Sequence, residues 1–483
     1  MEPTYHRFAK DFVIVGITNI LGALSGIALV AVLSKTLGAH GYGIWAQVQV
    51  TIALAVSFAT LGLPPAITRF LPARTDKSEI QDEVYSAFSL IFLISLLSSL
   101  VIVALANPIA NTFFEGNVDI VRITGLIIMV WALVTALLSY FRAFRQVKRL
   151  SVLILMDLCG QLGLSTLLVL NGYDILHIVL GLLAVRSAVL ITAIALLVQQ
   201  IGFKKPHFHK LREYLDFGVF IIPAAVGGWV VNMSDRYVIG YFLGTASVGI
   251  YSAAYTIGNI PMMVTTMLSL ILPPAVSKLY DEGKIDEVRQ YLTYTFKYFL
   301  AIGIPFIFGS AILAKPILTM LSTPEIAREG YFILPLVAIG TVFFGTSIVA
   351  HQALPLARKS RLIGIIWTVT AICNLSLNIV VVPWLGILGA ALTTLIAYSF
   401  QFILGIYYSW KELPFRIEWA FIAKSVTASA IMTLVVWGIS PHGNLATILA
   451  IVVGIAIYAI AIILMKGFSR EEVSFFKGLL MGT

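Results

Sequence analysis

The chain has 483 residues, of which 59% are hydrophobic and only 11% carry a charged side chain. A water-soluble domain of this length cannot bury so large an apolar fraction, so the composition excludes a soluble protein and indicates a polytopic membrane protein. The formal net charge of +9 fits basic loops that face anionic lipid headgroups, and it requires no nucleic acid.

Long apolar stretches predict about fourteen transmembrane helices, because about 20 such residues cross a hydrocarbon core of roughly 30 Å. The stretches are too long for the strands of a membrane barrel, so we expect an all-α fold. The predicted spans lie near residues 12–33, 43–63, 84–107, 118–141, 150–171, 175–200, 216–241, 249–273, 294–313, 330–353, 361–382, 386–409, 418–440 and 445–465.

Two sequence signatures occur twice. LGAHGYGIW, from Leu37, recurs as LGTASVGIY from Leu243, and LPPAITRFL, from Leu63, recurs as LPPAVSKLY from Leu272. Six predicted spans separate the copies, and an even number returns the chain to the same side of the membrane. The duplication therefore predicts two parallel pseudo-symmetric lobes of six helices around a central cavity. We expect both LPPA copies to end helices on the inner side.

The spans divide the chain into three predicted parts. Residues 1–201 form the first lobe, residues 202–409 form the second, and residues 410–483 hold an additional helix pair and a tail. Ser469 and Glu472 have the spacing of a capping box at the start of this tail. Phe475, Phe476 and Leu479 would then line one side of a short helix on the inner membrane surface.

The basic residues predict the orientation. Most of the 32 Lys and Arg fall in segments that are cytoplasmic if the amino terminus is inside, and the outer loops hold only Lys35, Lys315 and Arg328. Cytoplasmic loops of membrane proteins accumulate Lys and Arg. We therefore expect a multi-pass protein of the cell membrane with both termini in the cytoplasm.

The two glycine signatures, the Asp235–Arg236 pair and the segment NLSLNIVVVPWLGILGAA, from Asn374, together resemble the polysaccharide flippase branch of the multidrug/oligosaccharidyl-lipid/polysaccharide exporter superfamily. The resemblance covers nearly the whole chain. It implies a transporter that flips lipid-linked oligosaccharide or polysaccharide precursors from the cytoplasmic to the outer leaflet by alternating access. It also implies contact with membrane lipids and with proteins of polysaccharide assembly.

Two other functions stay open at this point. A cation-coupled multidrug exporter of the same superfamily is disfavoured because spans one and two carry no acidic residue, and a lipid II flippase is disfavoured because they carry no arginine. The other alternative is a non-transporting membrane component of a polysaccharide assembly pathway. The sequence shows neither a GxxxxGK[ST] phosphate loop nor an HExxH zinc pair, so we predict no enzymatic activity, cofactor or metal.

Arg186 is the most informative single charge, because it lies about midway along the sixth span, where a cation is costly. We interpret it as a substrate-binding residue of the cavity. The alternative is a structural ion pair with Asp157 of the fifth span, although helical rise places the two about 10 Å apart in depth. Asp157 is also the candidate for ion coupling.

Four further cations are candidate substrate contacts. Arg236 and Arg122 lie near the outer ends of spans seven and four, where snorkelling to headgroups is the alternative. Arg69 and Lys278 occupy equivalent positions in the two LPPA copies, where they could receive a pyrophosphate by charge-assisted hydrogen bonds. Ordinary accumulation of positive charge on the inner side explains them equally well.

Polar side chains also recur one helical turn apart in spans five and eleven. Asp157 pairs with Gln161 and Asn374 pairs with Asn378 at the spacing i, i+4, so each pair shares one helix face. We expect these residues to line the cavity or to form hydrogen bonds between helices.

Overall fold

A computed structural model describes residues 2–208, 211–469 and 472. Within these residues all regular structure is helical, which confirms the all-α prediction. The predicted tail helix, with Phe475, Phe476 and Leu479, lies outside the described residues. The α-helices are α1 (Glu2–Ala59), α2 (Leu63–Phe70), α3 (Lys77–Ala104), α4 (Ala106–Phe113), α5 (Val118–Ala143), α6 (Val147–Leu170), α7 (Ile175–Ile201), α8 (Leu211–Val219), α9 (Ile222–Leu243), α10 (Thr245–Gly258), α11 (Pro261–Asp281), α12 (Ile285–Leu321), α13 (Pro324–Gly330), α14 (Ile333–Ala350), α15 (Ala353–Leu356), α16 (Ser360–Glu412), α17 (Trp419–Ile439) and α18 (Asn444–Leu464).

Twelve helical stretches of the described chain are long and apolar enough to cross a membrane. Two of them, Gly16–Ala59 and Arg361–Glu412, contain 44 and 52 residues. At 1.5 Å per residue they measure about 66 and 78 Å, far more than a hydrocarbon core of roughly 30 Å. Each stretch overlaps two predicted spans. The total of fourteen spans stays a prediction.

Single glycines divide the two longest helices. Gly38 has φ 70° and ψ −172°, and Gly386 has φ 61° and ψ −148°. This region of backbone space is essentially restricted to glycine, because a Cβ atom would clash there. Gly244, the counterpart of Gly38 in the duplicated signature, has φ 83° and ψ 174°. Both copies of the signature therefore turn the backbone in the same way.

The chain divides into two compact units. The first comprises residues 1–252 and 375–390. Its most buried candidate membrane span is α5, which packs against α1, α2, α3 and α7. Asp76 and Asp174 begin α3 and α7, since each side chain accepts a hydrogen bond from the backbone N–H three residues later. The lobe boundaries 1–201, 202–409 and 410–483 stay predictions.

The duplicated glycine signatures contact each other inside this first unit. A Cβ atom on Gly43 would collide with the carbonyl oxygen of Thr245, and one on Gly249 would collide with the carbonyl oxygen of Ala39. Gly43 corresponds to Gly249 in the repeat, and Ala39 corresponds to Thr245. The contact is therefore reciprocal, as around a local two-fold axis. The symmetry of the complete lobes stays a prediction.

The second unit comprises residues 253–374 and 391–483. Its most buried helix is α14, which packs against α11 and α12. In the predicted repeat, α14 is the tenth span and corresponds to the fourth, which is α5. Each unit thus has its core around the helix that the duplication makes equivalent.

The two LPPA copies differ in structure. Pro64 and Pro65 lie in the first turn of α2, where proline removes no hydrogen bond of the helix. Pro273 and Pro274 instead lie inside α11, which continues to Asp281. The helices that hold the two copies end at Phe70 and Asp281, but the prolines of the second copy do not break α11. Membrane helices tolerate internal proline when neighbouring groups satisfy the freed backbone carbonyls.

Candidate substrate-binding site

Arg186 lies in a buried polar site within the first unit. Only 5% of the residue is exposed, and its Nε atom lies 3.8 Å from Oδ1 of Asp157 on α6. Its Nη2 atom donates a hydrogen bond of 3.5 Å to Oε1 of Gln49 on α1. The guanidinium carbon lies 4.2 Å from the centre of the Trp131 ring on α5, a cation–π distance. Four helices therefore contribute to this site.

The hydrogen bonding of this site is incomplete. In the described part of the chain, Nε and Nη1 of Arg186, Oδ1 of Asp157 and Nε2 of Gln49 are buried without a hydrogen-bond partner. Buried polar groups nearly always have a partner, and each exception requires an explanation. The site can thus donate to phosphate oxygens or to sugar hydroxyls, since Nε and Nη1 of Arg186 and Nε2 of Gln49 donate to no protein group among the described residues.

Two interpretations of Arg186 were open from the sequence, and the structure contains features of both. The helical-rise estimate placed Arg186 and Asp157 about 10 Å apart in depth, yet their side chains come within 3.8 Å of each other. The pair cancels the net charge, while the free N–H groups remain available for a ligand. Gln161, one turn after Asp157, is buried on the same helix face.

Asp235 and Arg236 form a second buried pair in the first unit, with 2.7 Å between Oδ1 and Nη1. The hydroxyl of Tyr251 donates to Asp235 at 2.5 Å, and Nη1 of Arg236 donates to the carbonyl oxygen of Asn232. Nε2 of Gln47 donates to the backbone carbonyl of Arg236. Arg236 is thus held by protein groups, and its contact with substrate stays a prediction.

The other three candidate cations are exposed. Arg122 forms an i, i+3 pair with Asp119 at 3.1 Å. Arg69 stands over the ring of Phe217, 4.6 Å from its centre. Lys278 lies on the exposed surface of α11 in the second unit. The proposed entry role of Arg69 and Lys278 and the substrate contact of Arg122 stay predictions.

Asn374 and Asn378 are fully buried on α16. Asn374 belongs to the second compact unit and Asn378 to the first. Their burial fits a polar role inside the protein, and the choice between cavity lining and helix packing stays open.

The predicted capping box at the carboxyl end is present. The backbone N–H of Ser469 donates to Glu472 at 2.7 Å, and the N–H of Glu472 donates to the Ser469 hydroxyl at 3.1 Å. Glu472 also accepts hydrogen bonds from Lys297 and Tyr298, each of 3.0 Å. Burial alone would raise the pKa of Glu472, but these hydrogen bonds outweigh burial and lower the pKa.

Sequence reasoning missed Gln49 and Trp131. A signal existed, because Gln47 and Gln49 are the only amide side chains of the otherwise apolar second span. The partner helix, however, cannot be read from one helix alone. The indole of Trp131 gave no signal, since aromatic residues are common in membrane spans.

Comparison with known proteins identifies the fold and the family of this chain. The structure described as "Lipid II flippase MurJ, inward closed conformation" shares the fold with a TM-score of 0.75 at 18% sequence identity, over 95% of this chain and 99% of that one. The chain thus has the polytopic α-helical fold of that structure. Residues 8–280, more than half of the chain, match the family described as "Polysaccharide biosynthesis protein", and the chain belongs to that family.

Residues 221–384 also match the MatE family. Two relatives come from Haloferax volcanii. "Probable low-salt glycan biosynthesis flippase Agl15" is 20% identical over 92% of this chain and 93% of its own length. "Probable flippase AglR" is 26% identical over 51% of this chain and 54% of its own length. The family recognised from the glycine signatures is therefore confirmed.

Proposed function

We propose that this protein is a flippase that moves a lipid-linked saccharide across the cell membrane by alternating access. The observation that carries the proposal is the buried, incompletely hydrogen-bonded site of Arg186, Asp157, Gln49 and Trp131. Intramembrane charges with unused donors mark substrate pathways, because their burial is otherwise unfavourable. The flippase names of the two relatives support the same assignment.

The chemistry of the site suits such a substrate. A pyrophosphate-linked saccharide presents anionic oxygens and hydroxyl groups. The Nε and Nη1 atoms of Arg186 can each donate a charge-assisted hydrogen bond to a phosphate oxygen. Nε2 of Gln49 offers a further donor for a hydroxyl group. The Trp131 ring holds the guanidinium plane in position beneath the ligand.

Asp157 keeps the empty site stable. With Asp157 at 3.8 Å, Arg186 is buried as part of a neutral pair rather than as an isolated cation. An arriving phosphate competes with Asp157 for the same guanidinium, so binding and release change the partner of Arg186 instead of exposing a bare charge. Asp157 would then be the group that can exchange an ion or a proton.

The direction of transport follows from the proposed orientation. The basic segments at Arg142–Arg149 and Arg358–Arg361 would face the cytoplasm. Both termini would lie on that side of the cell membrane, and the saccharide would move from the cytoplasmic to the outer leaflet. Proteins that assemble or extend the saccharide would act before and after this step.

The test is transport of a defined probe by purified protein in proteoliposomes. We suggest a polyprenyl-diphosphate disaccharide that carries a fluorophore, with its outer-leaflet fraction measured by a membrane-impermeant quencher. Wild-type protein should equilibrate the probe between leaflets. Arg186→Ala should lower the initial rate at least tenfold.

A matched control is Arg328→Ala, since Arg328 is exposed and contacts only its neighbour Glu329 among the described residues. This variant should transport the probe at the wild-type rate. If Arg186→Ala protein stays monodisperse and transports the probe at the wild-type rate, the Arg186 site is not part of the substrate pathway. Wild-type vesicles that move none of a broad panel of lipid-linked saccharides would refute the function itself.

A further inference from the structure

A stripe of buried polar residues joins α14 to the second half of α16, within the second unit. His351 directly follows α14, and Gln401, Gly405 and Ser409 lie on α16 at i, i+4 and i+8, which places them on one helix face. His351 is 4% exposed, and Gln401 and Ser409 are completely buried. The three polar side chains and the glycine between Gln401 and Ser409 lie in an apolar part of the chain.

The packing of the two helices fixes the position of the imidazole. A Cβ atom on Gly405 would collide with Nε2 of His351, so the ring occupies the space that glycine leaves. Phe343 stacks on Phe402 with 5.2 Å between ring centres. Residue numbers increase together along the contact, so the helices run parallel and His351 faces the Gly405 turn.

None of these side chains has a hydrogen-bond partner in the described part of the protein. The atoms concerned are Nδ1 and Nε2 of His351, Oε1 and Nε2 of Gln401, and Oγ of Ser409. An unsatisfied buried polar atom costs about 1–3 kcal/mol, so five together are not explained by packing. These unpaired donor and acceptor atoms can therefore bind a proton and form hydrogen bonds to it.

The charged groups on the surrounding helices do not neutralise the imidazole. Helices α11, α12 and α16 pack against α14. Their charged residues are Lys278, Asp281, Asp286, Glu287, Arg289, Lys297, Lys315, Arg361, Lys411 and Glu412. Among the described residues, none forms a hydrogen bond or ion pair with His351. Lys297 instead binds Glu418 and Glu472, and Glu412 binds Lys359.

We propose that His351 is a proton-binding site that couples transport to proton movement, with Gln401 and Ser409 as its hydrogen-bonding partners. This inference rests on the proposed transport function. A proton binds the lone pair of one ring nitrogen, and the imidazolium then donates from both nitrogens, for which the Gln401 and Ser409 oxygens are acceptors. Asp157 is paired with the cation Arg186, whereas His351 has no ion-pair partner among the described residues.

The first test imposes a pH difference of one unit across proteoliposomes that contain the fluorescent polyprenyl-diphosphate disaccharide. If one proton exchanges for one probe, the leaflet ratio can reach about tenfold, because one pH unit corresponds to a tenfold ratio. His351→Gln should still equilibrate the probe but leave the ratio near one. His177→Gln, at an exposed histidine bound to Asp174, should respond as wild type does.

Gln401→Leu and Ser409→Ala test the positioning role. Each should shift the pH midpoint of the transport rate while keeping the response to the gradient, which a purely structural role would not do. His351→Asn serves as a second variant if His351→Gln does not fold. A His351 variant that follows the gradient like wild type would overturn the inference.

The two proposals can fail separately. Wild-type protein that equilibrates the probe but ignores the gradient refutes the proton site and leaves the flippase function intact. If no probe moves at all, protonation is measured directly by ¹⁵N NMR of histidine-labelled protein. A signal that is lost in His351→Gln and titrates in the wild type supports the site, and a signal that does not change between pH 4 and 9 refutes it.

Discussion

Replacing Gly43 with alanine tests the reciprocal contact of the duplicated signatures. The new Cβ atom would overlap the Thr245 carbonyl and lie 3.0 Å from the backbone nitrogen of Gly249. Both neighbours are backbone atoms, so no side chain can rotate to make room. Overpacking of this kind costs about 1–3 kcal/mol, which exceeds the gain of about 1 kcal/mol from replacing glycine in a helix.

Gly163 provides the matched control, because a Cβ atom there has no neighbour within 4 Å. Gly163→Ala should stabilise the protein by about 0.4–1 kcal/mol through the unfolded state. The two substitutions thus have opposite expected signs. Thermal unfolding of detergent-purified protein measures them, with about 1–2 °C for each kcal/mol in a chain of this size.

Gly249→Ala extends the same experiment to the other side of the contact. It should also lower the Tm, since its Cβ atom would overlap the Ala39 carbonyl. The double variant should lose less than the sum of the two single losses, because both act on one contact. A Gly43→Ala protein that melts at or above the wild-type temperature would refute the reasoning.

Three further predictions concern charge and topology. Arg186→Met should cost about 3–5 kcal/mol of unfolding free energy because it leaves Asp157 unpaired, and adding Asp157→Leu should recover most of the loss. The pKa of Glu472 lies below its ordinary 4.5. Its contribution to the free energy of unfolding is therefore complete above pH 4.5 and is lost as the pH falls through the lowered pKa. The Tm difference between wild type and Glu472→Gln should vanish in acid, and a constant difference would contradict this. In a background without native cysteines, Ser247→Cys should react with an impermeant thiol reagent from outside and Lys284→Cys should not; the reverse pattern would invert the topology.

Much of the fold could be predicted from the sequence, because apolar length is a direct requirement of the bilayer. The span predicted at 118–141 corresponds to the helix Val118–Ala143, and the span at 175–200 corresponds to Ile175–Ile201. The lengths of helices that extend beyond the hydrocarbon core were underestimated. The span at 294–313 is the centre of Ile285–Leu321, whose ends are more polar and gave no hydropathy signal.

The candidate site could be predicted only in part. A charge in the middle of an apolar span identified Arg186, since such a residue needs a reason to be there. Its partners on α1 and α5 depend on which helices are neighbours, and helical periodicity contains no such information. His351 shows the same limit, because the sequence gave no indication that its side chain shares a buried region with Gln401 and Ser409.

The single-glycine connection at Gly38 makes the length of the chain there a determinant of the site. A one-residue insertion would rotate the following helix by about 100° and shift it by about 1.5 Å. Gln49 would turn away from Arg186, and Thr51 would turn away from the Tyr237 hydroxyl, which now lies 2.7 Å from its own. An insertion that changes no side chain would thus act on the whole second span at once, and natural variation in this family should rarely change the length of the chain at Gly38.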